Sequence, residues 1–261
     1  MITLIGSGNV ATWIAQRLQH SEHFPITQVY SRKLENAQRL ADLCGAQAID
    51  DIKDLRPDNQ IFIFALADKA YDEILPKLPF RLPAAFLTSG TVSCQCLKDY
   101  AYHYGVIYPL QTFTKTQDMR SLEVPLCLES DFAGERKTLM WELARELSPT
   151  CYEVSEAQRA KMHVAAVFAC NFSNAMYQIA YKLLKENGLP FEILLPVLRQ
   201  TVEKVSQMRP AEAQTGPAVR GDVNVMRAQM DSLEDERMRE IYRIMSELIQ
   251  NEECRMMNDE L

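Results

Sequence analysis

The sequence has no spaced cluster of cysteine and histidine residues. Its seven cysteines form no C-x-x-C pair, and no group of cysteine and histidine has the spacing of a zinc site. We therefore expect no metal site, and we expect the cysteines to be reduced thiols, which are typical of a cytoplasmic protein. The first basic residue is Arg17 and a strand is predicted from residue 2, so no signal peptide is expected.

Long apolar runs and an excess of positive charge are also missing. The most apolar long stretch, 164–181, contains Asn171, Ser173, Asn174 and Gln178, and is too polar to span a membrane. The 261 residues include 28 Lys or Arg and 35 Asp or Glu, for a net charge of −7. Nucleic acids and anionic membranes bind basic surfaces. We therefore expect no nucleic-acid or membrane partner.

A glycine motif close to the start is the most informative feature that the sequence does contain. Residues 2–5 (ITLI) form a short apolar run, and residues 6–11 (GSGNVA) follow it and lead directly into a helical pattern. This context fits the dinucleotide-binding fingerprint G-x-G-x-x-A. Gly6 allows the tight turn, Gly8 lets a pyrophosphate approach the backbone, and the helix N-terminus attracts the phosphates. A plain strand–helix turn is the alternative. The predicted cofactor-binding residues here are Gly6, Ser7, Gly8, Asn9 and Val10.

Strands and helices alternate repeatedly as far as residue 154. Further strands are predicted at 26–30, 46–49, 60–66, 84–87, 105–108, 124–128 and 151–154. The continuous apolar run 60–66 is typical of a central parallel strand that is covered on both faces. Pro125 suggests that strand 124–128 lies at an edge. The pattern predicts an α/β protein whose residues 1–154 form a doubly wound Rossmann sheet.

The end of the second predicted strand favours NADP over NAD. An NAD site usually has an acidic residue there, which binds the ribose 2′-hydroxyl. Here Ser31 occupies that position and is followed by Arg32 and Lys33. Ser31 can donate a hydrogen bond to a 2′-phosphate, and Arg32 can pair with the phosphate or stack on adenine. Arg32 and Lys33 as a solvated loop pair is the alternative.

The carboxyl ends of later strands should lie at the same edge of the sheet. In doubly wound sheets, ligands bind outside the carboxyl ends of the strands. The strand ends at 66–69, 88–91 and 108–112 are rich in hydroxyl and small residues, and we expect them to line the nicotinamide end of the cofactor. The residues predicted to bind the cofactor here are Leu66, Ala67, Ser89 and Gly90.

From residue 155 no convincing strand follows, so residues 155–261 are predicted to be an all-α domain for substrate binding and dimerisation. Ser155 and Gln158 can form a capping box that begins a long helix. Steps of four, four and three place His163, Val167, Asn171 and Asn174 on one face of that helix. A polar line on an otherwise apolar helix predicts a substrate pocket opposite the cofactor. Alternatively, these polar groups could form hydrogen bonds with loops of the same domain.

Arg220 is the second polar candidate of the predicted all-α domain. It lies in the loop before a short helix that Asp222 can cap. A guanidinium there could bind a substrate carboxylate. A structural salt bridge is the alternative role.

Two parts of the chain resemble known families. Residues 6–11 with residues 30–32 (YSR) resemble the NADP-binding domain of pyrroline-5-carboxylate reductases and deazaflavin-dependent NADP oxidoreductases. Residues 163–171 (HVAAVFACN) and 215–222 (TGPAVRGD) resemble a bacterial family that joins a Rossmann-like domain to a helical domain of unknown function, related to the 6-phosphogluconate dehydrogenase C-terminal fold. The resemblance implies an NADP-dependent oxidoreductase, a homodimer formed by the helical domain, and a 2-keto acid such as ketopantoate as one substrate.

The sequence therefore predicts an enzyme that reduces a small carbonyl or imine substrate with NADPH. His163 would be the general acid, because an imidazole titrates near neutral pH. Asn171 and Asn174 would orient the substrate, and Arg220 would bind a carboxylate.

Two alternatives remain open at this point. Hydroxyacid dehydrogenases of the same superfamily have a Lys followed four residues later by Asn, whereas Lys161 here is followed by Ala165. The missing pair favours a non-catalytic NADPH sensor or interaction protein. Electron transfer between NADP and a flavin or deazaflavin would also need little acid–base machinery.

Overall fold

The computed structural model describes residues 1–114, 116, 118–130 and 134–259. The chain consists of two units, Met1–Asn171 and Phe172–Leu261. One eight-stranded sheet forms the centre of the first unit. Its strands are β1 (Ile2–Ile5), β2 (Ile26–Tyr30), β3 (Gln47–Ile49), β4 (Ile61–Phe64), β5 (Leu82–Leu87), β6 (Ala101–Pro109), β7 (Leu126–Ser130) and β8 (Cys151–Glu153).

The strand order β3-β2-β1-β4-β5-β6-β7-β8 is that of a doubly wound sheet with two added strands. Strands β1 to β6 are parallel to one another, β7 runs antiparallel to β6, and β8 is parallel to β7. The carboxyl ends of β1, β2, β4, β5 and β6 therefore meet at one edge. The chain order reverses between β1 and β4, which is where such sheets bind ligands.

The prediction that strand 124–128 lies at an edge was wrong. Strand β7 pairs with β6 on one side and β8 on the other. Pro125 immediately precedes this strand, which begins at Leu126, so its missing N–H does not interrupt the ladder.

Helices cover both faces of the sheet, as the apolar run 60–66 predicts. Ile61 and Ile63 of β4 belong to the core on one face, whereas Phe62 and Phe64 belong to the core on the other. This alternation follows from the two-residue period of a strand. The helices of the first unit are α1 (Asn9–Leu18), α2 (Leu34–Cys44), α3 (Tyr71–Ile74), α4 (Glu135–Leu147) and α5 (Glu156–Ala166).

Helix α5 is attached to the sheet by a buried ion pair. The predicted capping box of Ser155 and Gln158 begins this helix. Within its first turns, the fully buried Arg159 places Nε 3.0 Å from Glu129 Oε2 of β7. Its Nη1 donates to the Ser89 carbonyl oxygen at 3.0 Å. The ion pair therefore ties together α5, β7 and the loop after β5.

The second unit consists of helices, as predicted. A π-helical segment, Val167–Phe172, contains the division between the units. Among the described residues of this unit, Ala218 is the one buried hydrophobic residue. No helix in the described part of the chain has both the length and the apolar character needed to cross a membrane. The helices are α6 (Ser173–Glu186), α7 (Leu195–Gln207), α8 (Pro210–Ala213), α9 (Val223–Asp231) and α10 (Glu236–Asp259).

Replacing Glu129 by Gln should destabilise the first unit. The change leaves the guanidinium of Arg159 buried without its counter-charge, which costs roughly 3 kcal/mol in the free energy of unfolding. Urea denaturation followed by tryptophan fluorescence reports on this unit, because both tryptophans, Trp13 and Trp141, lie in it.

The exposed pair of Asp118 and Arg120 provides the control for this prediction. Asp118→Asn should leave the denaturation midpoint nearly unchanged, because solvent screens an exposed pair. Equal midpoint shifts for Glu129→Gln and Asp118→Asn would contradict a special role of the buried pair.

Candidate active site

The glycine loop after β1 leaves open space in front of a helix N-terminus. Gly6 has φ 122°, and a Cβ atom there would lie 2.1 Å from the Ala65 carbonyl oxygen, so only glycine fits. A Cβ atom at Gly8 would meet nothing within 4 Å. Helix α1 begins directly after Gly8 and has neither a side-chain cap nor an acidic residue in its first turn. This space and the free N–H groups suit a pyrophosphate.

The end of β2 presents a hydroxyl group and a cation beside the glycine loop. Ser7 Oγ and Ser31 Oγ are 2.9 Å apart. The Arg32 side chain is 71% exposed, and its Nη1 lies 3.7 Å from Glu73 Oε2. An exposed pair of this kind is weak, so Arg32 is available to a phosphate. These residues fit the 2′-phosphate of NADP.

A cavity of about 330 Å³ lies at the reversal point of the sheet. It contains most of the predicted cofactor-binding residues and adds several more. Its walls come from the loops after β1, β4 and β5, from the start of α1, from the end of β6 and from α5. The lining residues are Gly8, Asn9, Val10, Ala65, Leu66, Ala67, Asp68, Thr88, Ser89, Gly90, Thr91, Tyr108 and His163.

Hydrogen bonds hold the loop after β5 in place. The carboxylate of Asp68 accepts bonds from Ser89 Oγ at 2.8 Å and from Thr91 Oγ1 at 2.6 Å. Ser89 Oγ also accepts from the backbone N–H groups of Thr91 and Val92. On the other side, Arg159 donates to the Ser89 carbonyl. The loop after β5 is therefore held by Asp68 on one side and by Arg159 on the other, and its conformation is fixed before any ligand binds.

His163 and Tyr108 form a hydrogen-bonded pair inside this cavity. Tyr108 Oη lies 2.9 Å from His163 Nδ1, and their rings meet edge to face. Burial raises the pKa of Tyr108 above its usual value, although the charge of Arg159 opposes this effect. The phenol therefore stays protonated at neutral pH and can donate to Nδ1.

Gly90 allows this pair to approach the loop after β5. A Cβ atom at Gly90 would lie 2.6 Å from His163 Nδ1 and 3.0 Å from Tyr108 Cζ. No real Cβ atom tolerates the first of these distances, so any larger residue must displace the imidazole. Gly90 was predicted to contact the cofactor, and here its small size makes room for the His163–Tyr108 pair.

Sequence reasoning did not select Tyr108, Asp68, Thr91 or Arg159 as functional residues. Tyr108, Asp68 and Thr91 do lie at strand ends that were expected to line the site, and this position was the available signal. The sequence gives no signal for Arg159, because its partner Glu129 is 30 residues away in the chain.

A larger cleft of about 760 Å³ adjoins the cavity and shares Tyr108 and His163 with it. It lies between the loop after β6 and the helix that carries His163. The side chains that line it are mostly apolar. They are Tyr108, Leu110, Gln111, Thr112, Phe113, Met162, His163, Ala165, Ala166, Val167, Ala169, Cys170 and Asn171.

The predicted catalytic residues divide between the two units. His163, Val167 and Asn171 all line the larger cleft. On a regular α-helix, residues four apart shift progressively around the helix axis. The wider turn of the π-helical segment offsets this shift. Asn174 lies in α6, and Arg220 lies in a turn just before α9, so both belong to the second unit.

Two family models match the chain. Residues 1–91 match NADP oxidoreductase coenzyme F420-dependent, and residues 124–249 match a domain of unknown function, DUF2520. No curated protein matches the chain.

Solved structures extend the similarity over nearly the whole chain. A "putative NADP oxidoreductase" of Bacteroides fragilis is 37% identical with a TM-score of 0.88, covering 96% of this chain and 97% of that one. A pyrroline-5-carboxylate reductase of Streptococcus pyogenes is 15% identical with a TM-score of 0.63, covering 97% of each chain. A reductive aminase of Aspergillus terreus, in complex with NADPH and ethyl-5-oxohexanoate, is 16% identical with a TM-score of 0.64, covering 97% of this chain and 86% of that one.

The last two similarities show the fold alone. The first similarity has an identity high enough to show the family. This chain belongs to the family of NADP oxidoreductases in which an F420-dependent-type NADP oxidoreductase domain is joined to a DUF2520 domain.

Proposed function

We propose that the protein reduces a small carbonyl or imine compound and that His163 and Tyr108 together deliver the proton. The observation that carries this proposal is their 2.9 Å hydrogen bond inside the cavity at the reversal point of the sheet. NADPH, when bound, supplies the hydride. The reacting carbon accepts this hydride, and its oxygen or nitrogen must then gain a proton.

The proton donor in this proposal is the Nε2–H group of His163. With Tyr108 donating to Nδ1, the neutral imidazole carries its proton on Nε2. As that proton passes to the substrate oxygen or nitrogen, Tyr108 gives its phenol proton to Nδ1, so the imidazole stays neutral and solvent then reprotonates the phenolate. Asn171 is placed in the adjoining cleft, where its amide can orient the substrate.

The cofactor contacts form the second part of the proposal. The open space at Gly8 and the N-terminus of α1 support pyrophosphate binding by Gly6, Ser7, Gly8, Asn9 and Val10. Ser31 and Arg32 support binding of the 2′-phosphate. Leu66, Ala67, Ser89 and Gly90 are proposed to line the nicotinamide end.

The roles of the second unit also remain proposals. A 2-keto acid such as ketopantoate as substrate depends on Arg220 as the carboxylate clamp, and Asn174 is proposed as a second orienting amide. It stays a prediction that residues 1–154 bind the cofactor and that residues 155–261 bind the substrate and form the dimer. A cytoplasmic location likewise stays a prediction from the cysteine pattern.

A non-catalytic sensor and electron transfer to a flavin or deazaflavin are the competing functions. Both functions are distinguished from the proposed reductase by whether bound NADPH is oxidised and by which compound must be present. A sensor leaves NADPH unconsumed with every carbonyl or imine, whereas electron transfer consumes it only when an added flavin or deazaflavin is present. The hydrogen-bonded His163–Tyr108 pair favours the reductase over both, because neither competitor needs a proton donor beside the reacting carbon.

The second unit supports a homodimer. Val197 and Val202 of α7, Val223 of α9 and Leu248 of α10 are all exposed, and Ala218 is the one described hydrophobic residue of the unit that is buried. A helical unit with so little core of its own gains stability when apolar surface from a partner covers it. A second copy is always available, and two-fold pairing is the commonest symmetry of soluble oligomers.

Arg32→Ala should weaken NADPH binding by roughly tenfold while leaving NADH binding nearly unchanged, because only NADPH carries the 2′-phosphate. Fluorescence titration of the full chain with both nucleotides measures the two affinities. Glu73→Ala is the matched control, since it removes the partner of Arg32 and should leave NADPH binding equal or tighter. Equal losses for both nucleotides in Arg32→Ala would contradict the 2′-phosphate role.

His163→Ala should lower kcat by at least about a hundredfold, and Tyr108→Phe by roughly tenfold, with NADPH affinity preserved. Gly90→Ala keeps both side chains but displaces them, so it should also lower kcat. Steady-state rates are measured with any carbonyl or imine that supports NADPH oxidation.

Tyr104→Phe is the control for this series. Tyr104 is a buried tyrosine of the same strand and bonds Gln95 outside the cavity. Its variant should keep the wild-type rate. Wild-type turnover in His163→Ala would refute the proton-donor assignment.

Val202→Glu should dissociate the proposed dimer, because it places a charge on an exposed apolar position of α7. Light scattering after size exclusion should give about twice the 29.9 kDa chain mass for the wild type and a lower mass for the variant. Gln200→Glu adds the same charge two residues earlier, where the chain is already polar, and should remain dimeric. A monomeric wild type would rule out the homodimer.

A further inference from the structure

The larger cleft beside His163 and Tyr108, called here the β6–α5 cleft, has an uncharged wall. Among the described residues that line it there is no Asp, Glu, Lys or Arg. Its surface is formed largely by Leu110, Phe113, Met162, Ala166 and Val167. A ligand group that enters the cleft therefore meets aliphatic, aromatic and sulfur-containing side chains.

Apart from the His163–Tyr108 pair that the cleft shares with the cavity, its polar groups are amide, hydroxyl and thiol groups, and the Gln111 amide already makes hydrogen bonds. Gln111 Nε2 donates to the Glu123 carbonyl at 2.9 Å, and Gln111 Oε1 accepts from the Thr112 N–H at 2.8 Å. The Gln111 amide is therefore engaged within its own loop. The Thr112 hydroxyl also donates to Gln111 Oε1, at 3.4 Å. The Asn171 amide can bond a carbonyl or ester oxygen but cannot neutralise a carboxylate.

The far wall of the cleft is fixed before any ligand binds. The Phe113 ring packs against Trp13 of α1 with ring centroids 5.4 Å apart. Asn9 Nδ2 donates to the Phe113 carbonyl oxygen at 2.7 Å. A preformed apolar wall binds an apolar group without an ordering cost.

An ionised group would be bound poorly in this cleft. Moving a carboxylate out of water is unfavourable unless a cation or several hydrogen-bond donors replace its hydration. Apart from the shared His163, the described lining residues include no side chain that can carry a positive charge. An uncharged aliphatic or aromatic group instead gains from the apolar area that it buries.

We infer that the β6–α5 cleft binds the uncharged, apolar substituent of the carbonyl or imine compound that is reduced beside His163. This inference rests on the proposed function for the identity of the reacting group. The volume of about 760 Å³ is within the range of pockets that bind drug-sized molecules, so a substituent the size of a phenyl ring fits.

A matched pair of ligands tests the charge preference directly. Methyl 4-acetylbenzoate and 4-acetylbenzoate share an acetyl group on a phenyl ring, and they differ in that only the second carries a negative charge, which lies on the ring that enters the cleft. Binding of each to the full-length protein saturated with NADP⁺ is measured by saturation-transfer difference NMR, which needs no turnover. The ester should bind at least about tenfold more tightly than the acid, because only the acid loses hydration without compensation.

Lysine substitutions should change this preference only inside the cleft. Ala169 lines the cleft, whereas Ala160 is exposed on α5 and does not. Ala169→Lys should abolish or reverse the preference for the ester, and Ala160→Lys should leave it unchanged. Ala166→Lys repeats the test at a less exposed lining position, so that a folding defect in one variant does not decide the outcome.

NADPH oxidation with the same two compounds separates this inference from the proposed function. If the ester is preferred and Ala169→Lys reverses the preference while NADPH is never consumed, the cleft assignment holds and the reductase proposal fails. If NADPH is oxidised equally fast with both compounds, the reductase proposal holds and the cleft assignment is overturned. Equal binding, tighter binding of the acid, or no binding of either ligand also overturns the cleft assignment.

Discussion

The buried guanidinium of Arg159 is the interaction on which the geometry of the site depends. It pairs with Glu129 on β7 and bonds the carbonyl of Ser89 in the loop after β5. Arg159 and His163 lie one turn apart on α5. The ion pair that anchors this helix therefore also fixes the position of the imidazole relative to the sheet. Arg159 Nη2 is buried without a hydrogen-bond partner among the described residues. Burying this ion pair therefore costs free energy, and its contribution is to hold α5 in position against β7 and the loop after β5.

His163 and Tyr108 stand where two binding regions meet. On one side is the small cavity at the reversal point of the sheet, built from loops whose conformations are fixed by Asp68 and by glycines at close approaches. On the other side is the larger apolar cleft. A cofactor in the first region and a substrate in the second would both touch the same imidazole. In the proposed reductase, this arrangement would bring together the hydride source, the proton source and an apolar binding surface, which a carbonyl or imine reduction requires.

The second unit differs from the first in how it is stabilised. The sheet of the first unit is covered on both faces by separate apolar clusters. Among the described residues, the helices of the second unit leave many of their large apolar side chains exposed within one chain and bury none of them fully. This contrast explains why the hydrophobic periodicity of the sequence predicts the helices of the second unit correctly. The same periodicity does not indicate which surface packs against their apolar faces. Amphipathic stripes specify that a face is buried, but they do not specify whether the burying surface belongs to the same chain.

The sequence by itself determined the order and type of the elements and the place of the glycine loop. Short-range signals were sufficient for these: the glycines of residues 6–11, the apolar strand runs, and the capping box at Ser155. Both His163 and Asn171, which the sequence predicts to share one helical face, line the larger cleft. Tertiary structure alone decided that Tyr108 bonds His163, that Gly90 makes room for both, that Arg159 pairs with Glu129, and that the strand after Pro125 lies inside the sheet. Each of these depends on contacts between residues far apart in the chain, and local propensity and periodicity carry no information about such contacts.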